Sequence, residues 1–115
     1  MAETRQYLLD LQEACRKLSA FTKGCTFQDY KSDDMMRSAV ERQFEIIGEG
    51  LNQMLRHDPT VAGQITNWKK IIGFRNRLVH GYATIDDAVV WGVLEENLER
   101  LRLEVEHLLI DPGMR

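Results

Sequence analysis

Residues 34–56 read Asp34-Met35-Met36-Arg37-Ser38-Ala39-Val40-Glu41-Arg42-Gln43-Phe44-Glu45-Ile46-Ile47-Gly48-Glu49-Gly50-Leu51-Asn52-Gln53-Met54-Leu55-Arg56. Met36, Val40, Phe44, Ile47, Leu51 and Met54 recur at steps of three or four, the spacing of one helical face, with Leu55 beside them. The stretch therefore predicts a helix of about 34 Å at 1.5 Å per residue. Ser32, Asp33 or Asp34 can cap it, since their side-chain oxygens accept the orphan N–H groups of a first turn. Ala39, Ile46 and Gly50 broaden the apolar stripe. A stripe this wide implies more than one packing neighbour, either inside one bundle or including another subunit. Gly48 and Gly50 each cost roughly 1 kcal/mol against alanine in a helix interior. Close approach of another backbone would compensate.

The flanking segments carry the same period. Leu8, Leu11, Cys15 and Leu18 place a helix over 5–22, and Gly24 fits its stop. Thr26 or Asp29 can open a short helical turn around Tyr30. His57 to Asn67 reads as the main non-helical segment, with Asp58-Pro59-Thr60 and Gly63 as turn signals. Thr66 or Asn67 can cap a third main helix from Trp68 to about Val79, with core candidates Trp68, Ile71, Ile72, Phe74 and Leu78. Gly81 suits the position just past its end. Asp86 or Asp87 caps a last helix to about Ile110, striped by Val90, Leu94, Leu98, Leu101, Val105 and Leu108. Nothing alternates at period two for long enough to make a sheet. The expected fold is all-α: residues 1–115 as a single domain, an antiparallel up-and-down bundle of four main helices plus a short helix.

A chain of 115 residues that is 43% apolar and 29% charged has enough apolar mass for a core and enough charge for a soluble surface. A net charge of −3 argues against broad non-specific binding to nucleic acid. No stretch has membrane-spanning length, and the N-terminus does not resemble a signal peptide, so the chain reads as cytosolic. Cys15 and Cys25 then read as reduced packing residues. His57, His80 and His107 are too scattered in sequence to suggest a metal cluster, so neither a metal nor another cofactor is expected.

One segment departs from this acidic background. Between Trp68 and Ile85 lie Lys69, Lys70, Arg75 and Arg77 and no Asp or Glu, whereas the remaining 11 Lys/Arg face 18 Asp/Glu. A cationic island on an acidic protein points to an anionic ligand. Within it, Arg75 presents a planar fork that matches phosphate oxygens. His80 titrates near neutrality and can give or take a proton. The pair suits cleavage of an RNA phosphodiester, in which the 2′-hydroxyl is the nucleophile and no metal is required. In a regular helix the two residues point about 140° apart. They come together either if the helix ends near Val79 and His80 swings back over Arg75, or if two subunits pair two copies of the motif about a twofold axis. Asn76, four residues before His80, can orient the imidazole. Lys69, Lys70 and Arg77 are candidates for contacting RNA, although a solvated face is the commoner use of such lysines. Tyr82 brings a hydroxyl close to the same place. Glu41, Glu45 and Glu49 fall on one face of the 34–56 helix, where Arg42 or Arg75 can relieve their repulsion.

Arg75-Asn76-x-x-x-His80-x-Tyr82 resembles the Arg-x4-His-x-Tyr signature of HepT-like proteins of the HEPN superfamily. Tyr7-Leu8-x-Asp10-Leu11, the block from Val40 to Glu49, the segment from Trp68 into the signature, and Val90-Trp91 resemble the family in the same order, over nearly the whole chain. One departure is Gly50, where alanine is more usual. The resemblance implies a homodimeric, metal-independent endoribonuclease, the toxin of a toxin–antitoxin pair, with Arg75 and His80 of both subunits at the dimer cleft and Asn76 in support. It further implies a partner, a small MntA-like nucleotidyltransferase antitoxin that silences the toxin by AMPylation of the tyrosine matching Tyr82. Two other classes remain open on the residues alone: a non-catalytic module that binds nucleotide or partner through the same island, and a purely structural dimerisation bundle.

Overall fold

The computed structural model describes residues 2–81 and 85–114. Among these it is all-helical, without strands: α1 Ala2–Thr22, α2 Phe27–Lys31, α3 Asp34–His57, α4 Pro59–Ala62, α5 Trp68–His80 and α6 Asp87–Ile110, closed by a 3₁₀ turn at Pro112–Met114. The four long helices are the four expected. The supposedly non-helical segment between α3 and α5 contains a short helix of its own. Asp58 creates it, accepting from the Val61 N–H at 3.2 Å, with Pro59 in the first turn where its missing N–H costs nothing. Asp58 is itself buried and also accepts from the Thr4 hydroxyl at 3.3 Å. That bond accounts for the burial of Thr4 and for α1 starting earlier than its apolar stripe.

The caps are mostly those the sequence offers. Asp33 accepts from Met36 N–H at 3.0 Å to open α3, and Asp86 from Ala88 N–H at 2.8 Å to open α6. Thr26 and Asp29 act together, each side chain bonding the other's backbone N–H in a capping box. The start of α5 differs. Asn67 occupies the cap position in the left-handed region, φ 61°, and its side chain makes no capping bond. The preceding Thr66 is instead held from across the bundle: Glu104 of α6 accepts its N–H at 3.0 Å and its hydroxyl at 2.6 Å. A bidentate tether from α6 therefore sets the path of the chain into α5.

The core lies between α1, α3 and α6. Leu8, Leu11, Cys15 and Leu18 meet Val40, Phe44, Ile47, Leu51 and Met54, and the six stripe residues of α6 are all buried. Met36 and Leu55 sit at the margin, half-buried. Tyr30 of α2 is fully buried, its ring 5.4 Å from that of Trp91. Both cysteines are free thiols; burial pushes the Cys15 pKa up to about 12, which leaves it a packing group rather than a nucleophile. In contrast to the expectation, α5 supplies no fully buried residue. Trp68, Ile71, Ile72, Phe74 and Leu78 are half-buried, because α5 packs chiefly on α3 and opens on another side to a groove shared with α6. Phe74 anchors it edge-on to Phe44, with centroids 5.3 Å apart. Among the described residues no helix is long and apolar enough to cross a membrane.

Candidate functional site

The four basic residues of the island, Lys69, Lys70, Arg75 and Arg77, all lie on this outlying helix. α5 stays helical through His80 and ends at Gly81, whose φ of 59° is the left-handed conformation that glycine adopts without strain. The first of the two routes, an early end that folds His80 back over Arg75, is therefore not taken. Within one chain the two side chains leave the helix about 140° apart. Arg75 points inward to α3, and His80 is exposed at the helix end.

Arg75 is seated rather than solvated. Its stem lies directly over Gly48 of α3: a Cβ added at Gly48 would stand 2.1 Å from Arg75 Cβ and 2.6 Å from Cγ. The close approach foreseen for this glycine is thus real, but the group that approaches is chiefly a side chain. Gly50 serves a lesser purpose and makes room for the tip of Leu11. Beyond its stem, the Arg75 guanidinium forms a 2.7 Å ion pair from Nη2 to Glu49 Oε2 and donates from Nη1 to Asn76 Oδ1 at 2.8 Å. Its Nε is buried without a hydrogen-bond partner among the described residues. Gln53, one turn further along α3, donates to the other Glu49 oxygen at 3.0 Å. Asn76, expected to orient the imidazole, thus spends its carbonyl oxygen on the guanidinium.

Arg75 borders a cavity of about 250 Å³ between α1, α3 and α5, which it shares with Asp10, Arg42, Glu45, Glu49 and Gln53. Lys70 and Arg77 lie on a different side of α5. They rim an apolar groove of about 430 Å³ whose floor includes Phe44, Ile71 and Phe74. Lys69 is exposed, its ammonium 5.4 Å from the centre of the Trp68 ring. Tyr82 lies outside the described residues. The glutamates of α3 meet separate fates: Glu49 pairs with Arg75, Glu45 sits 4.0 Å from Arg42, and burial together with Asp87 and Glu45 holds the Glu41 carboxyl above the usual range, against the pull of Arg37. Among the described residues no group of three or more His, Cys, Asp or Glu side chains is placed to hold a metal ion.

Sequence reasoning missed Glu49 and Gln53 as parts of this site. Their signal was present, since Glu49 closes the glutamate ladder and adjoins a helical glycine with no local purpose. What was missing was the identity of the group lying on that glycine.

Residues 11–108 match the model of a family described as ribonuclease HepT-like. A candidate RNase of Methanocaldococcus jannaschii is 31% identical over 104 residues, covering 90% of this chain and 94% of its own. A candidate ribonuclease HepT of Thermococcus cleftensis is 30% identical, with the same coverage of both chains. A candidate RNase of Caldanaerobacter subterraneus is 28% identical over 95% of this chain and 96% of its own. No solved structure matches the chain significantly.

Proposed function

Because the chain belongs to the ribonuclease HepT-like family, we propose that it is a metal-independent endoribonuclease, the toxin of a toxin–antitoxin pair, acting as a homodimer in the cytosol. The observation that carries this reading is the joint occurrence of family membership and an arginine–histidine pair on one outlying, basic helix. The geometry of that helix bears on how the pair works. Since Arg75 and His80 diverge on one chain, the second of the two routes remains: a cleft in which two copies of α5 face each other across a twofold axis. Such a cleft supplies two imidazoles and two guanidiniums. One His80 takes the proton of the RNA 2′-hydroxyl as O2′ bonds to phosphorus. The other gives a proton to O5′ as the P–O5′ bond breaks, leaving a 2′,3′-cyclic phosphate and a 5′-hydroxyl. The Arg75 pair stabilises the charge that builds on the phosphoryl oxygens. Asn76 supports this by holding Nη1, and Lys69, Lys70 and Arg77 contact the flanking backbone.

A specific observation favours the second reading, a non-catalytic binding module: Arg75 is already ion-paired to Glu49 within its own chain. Incubating the purified protein with RNA in EDTA separates the two. Cleavage with cyclic-phosphate products is expected; binding without products would establish the module instead.

The proposed partner is an MntA-like nucleotidyltransferase that transfers AMP from ATP to Tyr82. An AMP group two residues beyond His80 adds bulk and negative charge beside the cations that RNA must reach, blocking it by volume and by repulsion. Mass spectrometry after incubation with that partner and ATP is expected to find one AMP on Tyr82 and to find cleavage suppressed. AMP on another residue would remove Tyr82 from the scheme.

A further inference from the structure

We propose that Glu49, braced by Gln53, is the positioning residue for the Arg75 guanidinium, so that the group that meets the phosphate is aimed from α3 rather than from its own helix. The inference deepens the nuclease reading and rests on it. Three features fix the side chain. Its Cβ and Cγ are confined by the bare face of Gly48. Its Nη2 is held by Glu49 Oε2 at 2.7 Å. The carboxylate in turn is steadied by Gln53, whose Nε2 donates to its Oε1 at 3.0 Å. Asn76 completes the set at Nη1.

A guanidinium has five N–H donors. One is on the buried Nε, one faces Glu49 and one faces Asn76. That leaves one N–H on each terminal nitrogen, the fork that takes two phosphoryl oxygens at once. Without Glu49 the guanidinium has other places to go: Asp10 and Glu45 border the same cavity and would draw it away from the α5 surface. Glu49 therefore supplies direction at some cost in attraction, since its own negative charge opposes an incoming phosphate. That opposition gives the role a kinetic signature. Loss of Glu49 lowers kcat without raising KM, whereas a general loss of structure lowers the amount of active protein and leaves the KM of the remainder unchanged together with its kcat.

The test is the kinetics of Glu49→Ala, Glu49→Gln and Gln53→Ala on a fluorogenic RNA, with active-site concentration measured, alongside guanidinium NMR of arginine-labelled protein. Glu49→Ala is expected to lose about 10- to 100-fold in kcat, the scale of a misplaced catalytic group, with KM equal or lower. Glu49→Gln, which keeps an acceptor of the same length, is expected to lose less, and Gln53→Ala less again. In an Arg75→Ala background, Glu49→Ala is expected to cost nothing further. The Nη resonances of Arg75, identified by their disappearance in Arg75→Ala, are expected to be resolved in the wild type and to merge in Glu49→Ala. Wild-type kcat in Glu49→Ala, or an undiminished further loss in the Arg75→Ala background, would overturn the proposal. If the wild-type protein cuts no RNA, the nuclease reading falls with its kinetic arm. Unchanged Arg75 resonances in Glu49→Ala would then separately refute the positioning itself.

Discussion

Replacing His80 by alanine is expected to abolish RNA cleavage, by at least about 100-fold, while leaving the thermal transition nearly where it is. The first part follows from removing the proton donor and acceptor of the reaction, a loss typically of two to four orders of magnitude. The second follows from position: His80 is exposed in the last turn of α5, and surface substitutions usually change stability by less than about 0.5 kcal/mol. Arg75→Ala is expected to lose cleavage on a similar scale but to melt earlier, because the arginine stem fills the space over Gly48 and its departure empties it. The contrast between the two variants is what the structure adds to the motif. A third experiment addresses the cleft. Because the reaction uses an imidazole from each subunit, mixing wild-type protein with an excess of His80→Ala is expected to suppress cleavage, since a mixed dimer keeps one of the two imidazoles. Separate homodimers, checked by exchange of labelled subunits, are the control. Full activity in the His80→Ala protein, or undiminished cleavage per wild-type subunit in a verified mixed dimer, would exclude the shared cleft.

The bundle was legible in the sequence where a single apolar face decides an element. The stripe of α6 is buried residue for residue as read, and so are the α1 positions from Leu8 to Leu18. Periodicity failed where the surroundings are lopsided. The apolar residues of α5 look like a core stripe, yet none is fully buried, because period alone does not say how many neighbours a helix has. The start of α5 falls at Trp68 behind Asn67 as read, but its anchor was not legible: Glu104 lies 38 residues away, and no local pattern announces a tether supplied by another helix. At the site, Arg75 and His80 stood out by chemistry and spacing. Glu49 was seen only as a charge to be relieved, and the order of cause is the reverse of that reading. The arginine does not merely quiet a ladder of glutamates; the last of them holds the arginine.

Gly48→Ala is expected to be the most damaging single-methyl change in α3. In an isolated helix the substitution would stabilise, by about 1 kcal/mol. Here the new Cβ would meet Arg75 Cβ at 2.1 Å, with Arg75 Cα only 3.5 Å away, so the clash is with the root of a side chain and cannot be relieved by a rotamer change. α5 must then move off α3, its main packing partner. Overpacking of this kind costs about 1–3 kcal/mol and more where backbone must shift. Against the propensity gain, a net loss of roughly 2 kcal/mol is expected, a fall in Tm on the order of 10 °C for a domain of this size. Cleavage should fall as in Arg75→Ala, since the guanidinium loses its place against Glu49. Two other glycines calibrate the result. A Cβ at Gly50 would meet only the end of Leu11, at 2.7 Å, and that flexible tip can shift, so Gly50→Ala should be nearer neutral. A Cβ at Gly73 meets nothing within 4 Å, so Gly73→Ala should raise the Tm through helix propensity alone. Thermal melts and RNA cleavage of the three variants give the expected order, Gly48→Ala lowest and Gly73→Ala highest. A Gly48→Ala protein as stable and as active as Gly73→Ala would mean that α5 does not rest on α3 through Arg75, and the positioning of the guanidinium by α3 would fall with it.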